Sequence, residues 1–337
     1  GCVGCVLSTD FDGVYELASA ITKYDQYSES SDYNTEGYLT QLQYDYKMKY
    51  YGSVSYRRDA SSHFHPDHRW GNFWSIGGAW IISQEDWFKA PWVNMLKVKL
   101  SYGSQGNDKI GRFRYVDTYK PKDSNGSLGF TFEEKGNKEI TWETNGNLNT
   151  GVEFSLLRDK LTGSVEFFSR KTTDMLFQLP TPLSLGYDKY YSNIGDMVNK
   201  GFEIDLHAKI IDRRNFAWSV NFNATHVKNK VTMLSDLRAT EEEGGYKGYS
   251  SGSYYLGEGL SMYTWKIKKF AGINDEGLPT WYQRNDETGE ETVTSTYSSA
   301  SYYIVGNALP DLYVGFGTTV SAYGFDLSVN FTFQLGG

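Results

Sequence analysis

The feature that most constrains this chain is an alternation of apolar and polar side chains, recurring from about residue 38 to about residue 333. Successive side chains on an extended strand point to opposite faces, so such a sequence makes sheets with two unlike sides. Phe325, Leu327, Val329 and Phe331 oppose Asp326, Ser328, Asn330 and Thr332. Phe202, Ile204, Leu206, Ala208 and Ile210 oppose Glu203, Asp205, His207 and Lys209. Phe216, Trp218, Val220 and Phe222 follow the same rule against Ala217, Ser219, Asn221 and Asn223. The polar stretch Asp212–Asn215 between the last two runs suits a short hairpin connection. A tight turn near Asp45–Lys49 divides the tyrosine-rich run from Tyr38 to Tyr56, and Arg158-Asp159-Lys160 divides another hairpin. Roughly ten to twelve strands are expected in all.

Alternation alone does not separate a soluble sandwich from a membrane barrel, because either can hide one face. The connections favour the barrel. Short ones carry Asp, Asn, Lys or Arg, whereas those near 104–140, 171–200, 233–262 and 270–302 are long and rich in Gly, Tyr and Ser. Transmembrane barrels have short turns on one rim and long loops on the other, while compact soluble domains rarely carry several such loops. Strands in lipid must also close on themselves, since every backbone N–H and C=O needs a partner. The chain has 27 Tyr, 19 Phe and 9 Trp against 7 Pro, which suits strands and interfacial aromatic girdles. An aromatic-rich domain binding carbohydrate fits that composition nearly as well. The expected fold class is all-β: part of an antiparallel transmembrane β-barrel, spanning residues 1–337. Its lumen-facing candidates are Glu203, Asp205, His207, Lys209, Asp326 and Asn330. No apolar run approaches the length of a membrane-crossing helix. A net charge of −8 disfavours nucleic acid as a partner.

Candidate chemical sites are weak. Cys2 and Cys5 are the only cysteines, too close to staple a fold and lacking a second pair for a metal. His63, His65 and His68 have spacing that can hold a transition metal, but no fourth ligand is fixed and a polar loop is favoured. Glu241–Glu243 and the turn Asn274-Asp275-Glu276-Gly277 do not match a calcium loop. No nucleophile elbow, HExxH, P-loop or dinucleotide fingerprint is present, so neither catalysis nor a cofactor or metal is expected. Tyr246, Tyr249, Tyr254, Tyr255 and Trp281 sit in loop regions and are candidate ligand-binding residues, since flat rings match sugar faces. The same rings would equally serve to pack the loops together.

Several strings carry a family resemblance. Arg57-Arg58-Asp59-Ala60-Ser61-Ser62-His63-Phe64, followed by Arg69-Trp70-Gly71-Asn72-Phe73-Trp74-Ser75-Ile76-Gly77-Gly78, resembles the SusC/RagA family of TonB-dependent outer-membrane transporters. Ala60 and His63 stand where that family usually has Gly and Arg. Leu96–Gly103 with Ser104-Gln105-Gly106-Asn107, Leu161–Phe168 with Lys171–Leu176, and Asn199-Lys200-Gly201-Phe202-Glu203 resemble further stretches in order. Gly306-Asn307-Ala308-Leu309-Pro310 and Tyr323–Ser328 complete the series.

The resemblance implies a barrel of about 22 strands closed by an N-terminal plug, with the plug and several strands absent from this segment. It implies import of glycan or oligopeptide cargo across the outer membrane of Bacteroidota. A SusD-like surface lipoprotein would act as lid, and TonB–ExbB–ExbD would supply force through N-terminal regions; outer-membrane lipid would surround the wall. Two alternatives stand beside it: a carbohydrate-binding or adhesion β domain without transport, and a siderophore-type TonB-dependent receptor.

Overall fold

The structure, a computed structural model, describes residues 32–337 apart from 125–126, 182, 188, 238 and 286–287. Cys2 and Cys5 lie outside the described residues. The first strands are β1 (Thr35–Tyr46), β2 (Tyr50–Ser61), β3 (Trp70–Ile81) and β4 (Val93–Asn107). A small hairpin, β5 (Thr118–Ser124) and β6 (Ser127–Glu134), precedes β7 (Glu143–Leu156) and β8 (Leu161–Thr173). A second, β9 (Leu176–Pro180) and β10 (Lys189–Asn193), precedes β11 (Gly195–Arg213) and β12 (Phe216–Leu234). The long insertion that follows holds β13 (Glu241–Glu243), β14 (Tyr246–Ser251), β15 (Tyr254–Gly257) and β16 (Thr264–Lys268). It continues through β17 (Phe270–Ile273), β18 (Pro279–Arg284), β19 (Glu291–Thr294) and β20 (Tyr302–Asn307). The chain then returns as β21 (Leu312–Ala322) and β22 (Phe325–Leu335).

Ten of these strands form one curled, partly closed antiparallel sheet in the order β1-β2-β3-β4-β7-β8-β11-β12-β21-β22. Each barrel-type strand therefore pairs with the next one along the chain, as in an up-and-down barrel wall. The register keeps the two faces distinct. Ile204 lies opposite Val165 on one side and Ala224 on the other, while Glu203 lies between Glu166 and Thr225. Shifting any strand by one residue would mix the two sets. Strands β11 and β12 each run 19 residues, longer than the roughly 9–11 that span a bilayer, so both project past the rim.

Connections segregate by rim. Residues 47–49, 82–92, 157–160, 214–215 and 323–324 join strands at one end; 62–69, 108–142, 174–194 and 235–311 join them at the other. One expectation changes here. The stretches near 233–262 and 270–302 are not separate connections; both belong to the single insertion between β12 and β21. Its segment β16 pairs with β15 and β20 in a five-stranded sheet of the insertion, not with the wall. A three-stranded sheet, β17-β18-β19, completes this canopy.

The apolar face carries few packing partners, and its side chains stay exposed: Tyr44, Trp74, Ile76, Leu327 and Phe333 among them. At the short-turn rim its aromatics line up. Tyr46 stacks near Tyr50 (6.4 Å between centroids), Tyr50 near Trp80 (6.2 Å) and Trp80 near Trp87 (6.3 Å). Glu85 ties the row together, accepting from Tyr50 Oη at 2.6 Å, Trp80 Nε1 at 2.9 Å and Lys49 Nζ at 3.4 Å. Buried cores sit instead at the long-loop rim: Phe64, Ile110 and Ile140 in one cluster, and Val231, Leu234, Tyr249 and Leu256 in another.

Gly201 marks a close approach on β11. A Cβ there would collide with the His226 carbonyl oxygen and meet the Phe168 ring at 2.6 Å. Backbone cannot give way cheaply where it is laddered on both sides. Gly201→Val should therefore cut the yield of heat-resistant folded barrel several-fold on gel electrophoresis, whereas Gly52→Val, with nothing within 4 Å, should not.

Candidate functional site

The polar face is built from the residues that alternation turns away from the apolar side. Two cavities hollow it, of about 750 and 820 Å³, marking it as the inside of the curl. Small hydroxyl and glycine positions floor both: Ser53, Gly77 and Ser101 are shared between them. Toward the long loops the larger rings and charges appear, with Arg57 Nε on Asp59 Oδ2 at 2.6 Å beside Phe73 and Trp142.

Toward the short turns lies an ion-pair cluster contributed by three strands. Lys99 Nζ stands 2.8 Å from Glu153 Oε1 and 2.5 Å from Glu166 Oε1, and Lys97 Nζ stands 3.0 Å from Glu153 Oε2. Glu203 faces Glu166 across the next ladder, and Asp205 and His207 follow on the same side. Lys209, Asp326 and Asn330 share that side too, paired with Ser219, Ser321 and Gly317. All six lumen-facing candidates thus lie on one continuous polar surface. The Lys97–Lys99–Glu153–Glu166 cluster was not singled out from sequence, because its members lie on strands far apart in the chain. Only the register brings them together.

The three histidines of the first long-rim connection find three different partners. His63 Nδ1 lies 2.8 Å from the Asp108 carbonyl oxygen, His65 Nδ1 is 3.3 Å from Asp67 Oδ2, and His68 Nε2 is 3.3 Å from Glu139 Oε2. They knit loops. Trp142 Nε1 donates to the Arg69 carbonyl at 2.9 Å, and Asn193 accepts from Thr141 N–H while donating back to its carbonyl. Asn274 caps the β17–β18 turn, its Oδ1 accepting from the N–H groups of Glu276 and Leu278.

In the canopy the candidate aromatics divide. Tyr255 is wholly buried and its hydroxyl donates to the Tyr246 carbonyl at 2.7 Å and the Glu241 carbonyl at 3.1 Å. Burial, and then the charge of Glu241, push its phenol above the ordinary tyrosine value. Tyr249 is buried in the Val231–Leu234–Leu256 cluster. These two rings build the scaffold, leaving no open face for a sugar. Tyr246 is 40% exposed, and Tyr254 is half-buried, stacked on Trp265 at 4.5 Å. Trp281 meets Tyr297 edge-on at 5.1 Å.

The acidic run Glu241–Glu243 is strand β13; Glu241 and Glu243 pair with Lys266, and Glu243 also with Arg284. Burial pushes the Glu241 carboxyl up, but hydrogen bonds from Ser250 Oγ, Ser250 N–H and Lys266 Nζ outweigh it and hold it below the ordinary glutamate value. A carboxylate lowered on folding lends stability above its unfolded value, lost as pH falls through the lower folded one. Hydrogen exchange in β13–β16 should therefore be unchanged from pH 7 to about pH 5, once corrected for intrinsic rates, and speed up below about pH 4.5. Glu241→Gln should remove that acid step.

With this geometry in view, comparisons with known proteins agree. The family described as TonB dependent receptor-like, beta-barrel matches residues 7–337. TonB-dependent receptor P39 of Formosa agariphila is 35% identical over 221 residues, covering 65% of this chain and 20% of that protein. TonB-dependent receptor SusC of Bacteroides thetaiotaomicron is 28% identical over 320 residues, covering 86% of this chain and 30% of that protein. The RagAB peptide transporter structure superposes with a TM-score of 0.80 at 23% identity, over 97% of this chain and 36% of that one. That likeness shows the fold. The chain spans between about a fifth and a third of the length of the curated relatives it matches.

Proposed function

The chain belongs to the TonB dependent receptor-like, beta-barrel family, on its SusC/RagA side, and from that premise we propose that it forms one arc of an importer wall. The whole protein would take up glycans or oligopeptides across the outer membrane, driven by TonB–ExbB–ExbD and lidded by a SusD-like lipoprotein. One observation carries the reading: a ten-stranded sheet whose apolar side is bare and whose polar side is hollowed, with its three longest connections on one rim. Such a sheet is stable only where lipid covers one side and water or cargo wets the other.

The residues then divide the work. Ser, Gly and Asn positions at the floor of the polar face offer hydrogen bonds to amide or hydroxyl groups without narrowing the path. The Lys97–Lys99–Glu153–Glu166 cluster keeps the short-turn end charged and hydrated while its ions neutralise one another. The canopy presents Tyr246, Tyr254 and Trp281 as flat surfaces at the entry side. Peptide cargo is the first class to try, because the RagAB structure is that of a peptide transporter.

The experiment is uptake by cells carrying the full-length gene or its deletion, with fluorescent oligopeptides, oligosaccharides and a ferric siderophore tested separately. Uptake of a peptide or glycan that is lost on deletion, and lost again without TonB, is expected. Uptake of only the ferric siderophore, or binding that persists without any TonB-dependent accumulation, would overturn the reading.

A further inference from the structure

The outward face carries a group of cations that neither the wall nor the canopy accounts for. Lys200 on β11 lies directly opposite Lys228 on β12, and Lys230 follows two residues on, opposite Val198. All three share the face of Phe202, Ile204 and Phe222, and all three are exposed. Lys171 on the neighbouring strand β8 is opposite Val198 as well, but it is neutralised by Asp196 Oδ2 at 3.4 Å. Among the described residues Lys200, Lys228 and Lys230 have no acidic partner. Like charges directly opposite weaken a ladder, so this placement calls for an anion from outside the chain.

Their height identifies the anion. From Lys200 to Ile210 the outward positions are Phe202, Ile204, Leu206 and Ala208. Ten residues at about 3.3 Å, on a strand tilted about 40°, rise about 25 Å, the height of a barrel's apolar band. The lysines therefore stand where the band ends at the long-loop rim, level with lipid headgroups. Just beneath them, Phe202 lies 6.3 Å from Phe167 and 5.5 Å from His226, a ledge of rings suited to the top of acyl chains.

We propose that Lys200, Lys228 and Lys230 form a binding site for the phosphate-bearing headgroup of a membrane lipid in the leaflet on the long-loop side. Three amines on two adjacent strands can surround one phosphate, and the rings below hold its acyl chains. The proposal rests on the reading that this face meets lipid, and the test separates the two.

The intact receptor, purified from its own membrane in mild detergent, is examined by native mass spectrometry for retained phosphate-bearing lipid. A phosphate-bearing lipid should remain bound to the natural protein and fall about tenfold or more in the combined Lys200→Gln, Lys228→Gln, Lys230→Gln variant. The corresponding arginine variant should retain it, and the dephosphorylated lipid should bind neither protein. Should the triple variant not yield a heat-resistant barrel, Lys228→Gln alone, which breaks the opposed pair, must show a measurable part of the loss. Equal retention in natural and glutamine proteins, equal binding of dephosphorylated lipid, or saturation by inorganic phosphate in place of lipid would overturn the site. Failure of the natural protein to insert into lipid vesicles would instead overturn the transporter reading, and the site with it.

Discussion

Ile204→Arg should cost the intact receptor about 2–4 kcal/mol of folding free energy in a bilayer, the depth-dependent penalty for arginine on a barrel's lipid side. Asp205→Arg, one residue along the same strand, should change it by no more than about 0.5 kcal/mol. The contrast depends only on which way each side chain points. Ile204 sits between Val165 and Ala224 near mid-height of the apolar band, where a guanidinium has neither water nor a counterion. Asp205 sits between Ser164 and Asn223 on the polar side, near Glu203 and the Glu166 carboxylate, where added positive charge meets an acidic neighbourhood. Denaturant unfolding of the receptor reconstituted in lipid vesicles measures both. Equal penalties at the two positions would mean that neither face meets lipid, and the barrel wall would have to be abandoned.

That pair of neighbours also shows what the sequence could encode and what it could not. The faces were legible because a strand's period is two and burial of one side leaves a visible alternation from Phe202 to Ile210. The hairpins at 47–49, 157–160 and 214–215 were legible from their polar residues, and the family from its ordered strings. Register was not, since it is set by contacts between segments distant in the chain. Lys99 and Glu166 are 67 residues apart, and nothing local to either points to the other. The insertion between β12 and β21 was misjudged for a different reason. Trp265 and Ile267 alternate with Lys266 and Lys268 just as a wall strand would, so period alone cannot say which sheet a strand joins. Likewise Tyr246, Tyr249, Tyr254 and Tyr255 share the same Gly- and Ser-rich surroundings. Which of them is buried depends on where Val231 and Leu234 project beneath them.

That burial makes Tyr255→Ala the second large effect, and it should unfold the canopy while leaving the wall intact. The ring is fully enclosed, its hydroxyl ties β13 to the start of β14, and Lys266 Nζ lies 5.0 Å over its face. Truncating a buried aromatic costs about 3–5 kcal/mol. A sheet of short strands has little stability of its own to absorb that, since small sheets depend on whatever apolar surface they cover. Wall strands β11 and β12 are held instead by ladders on both sides. Hydrogen exchange should therefore show protection lost across residues 241–257 and kept in the central part of β12. Tyr255→Phe keeps the packing and removes only the two hydroxyl bonds, so it should cost about 1 kcal/mol and leave most protection in place. The same pair of variants discriminates how the exposed rings serve cargo. Tyr246 and the Tyr254–Trp265 stack keep their positions only while the sheet beneath them is folded. Cargo affinity that collapses with Tyr255→Ala and survives Tyr255→Phe would place recognition on that scaffold. Affinity indifferent to both would assign it to the polar wall, where Ser53, Ser101 and Asn149 line the hollow instead.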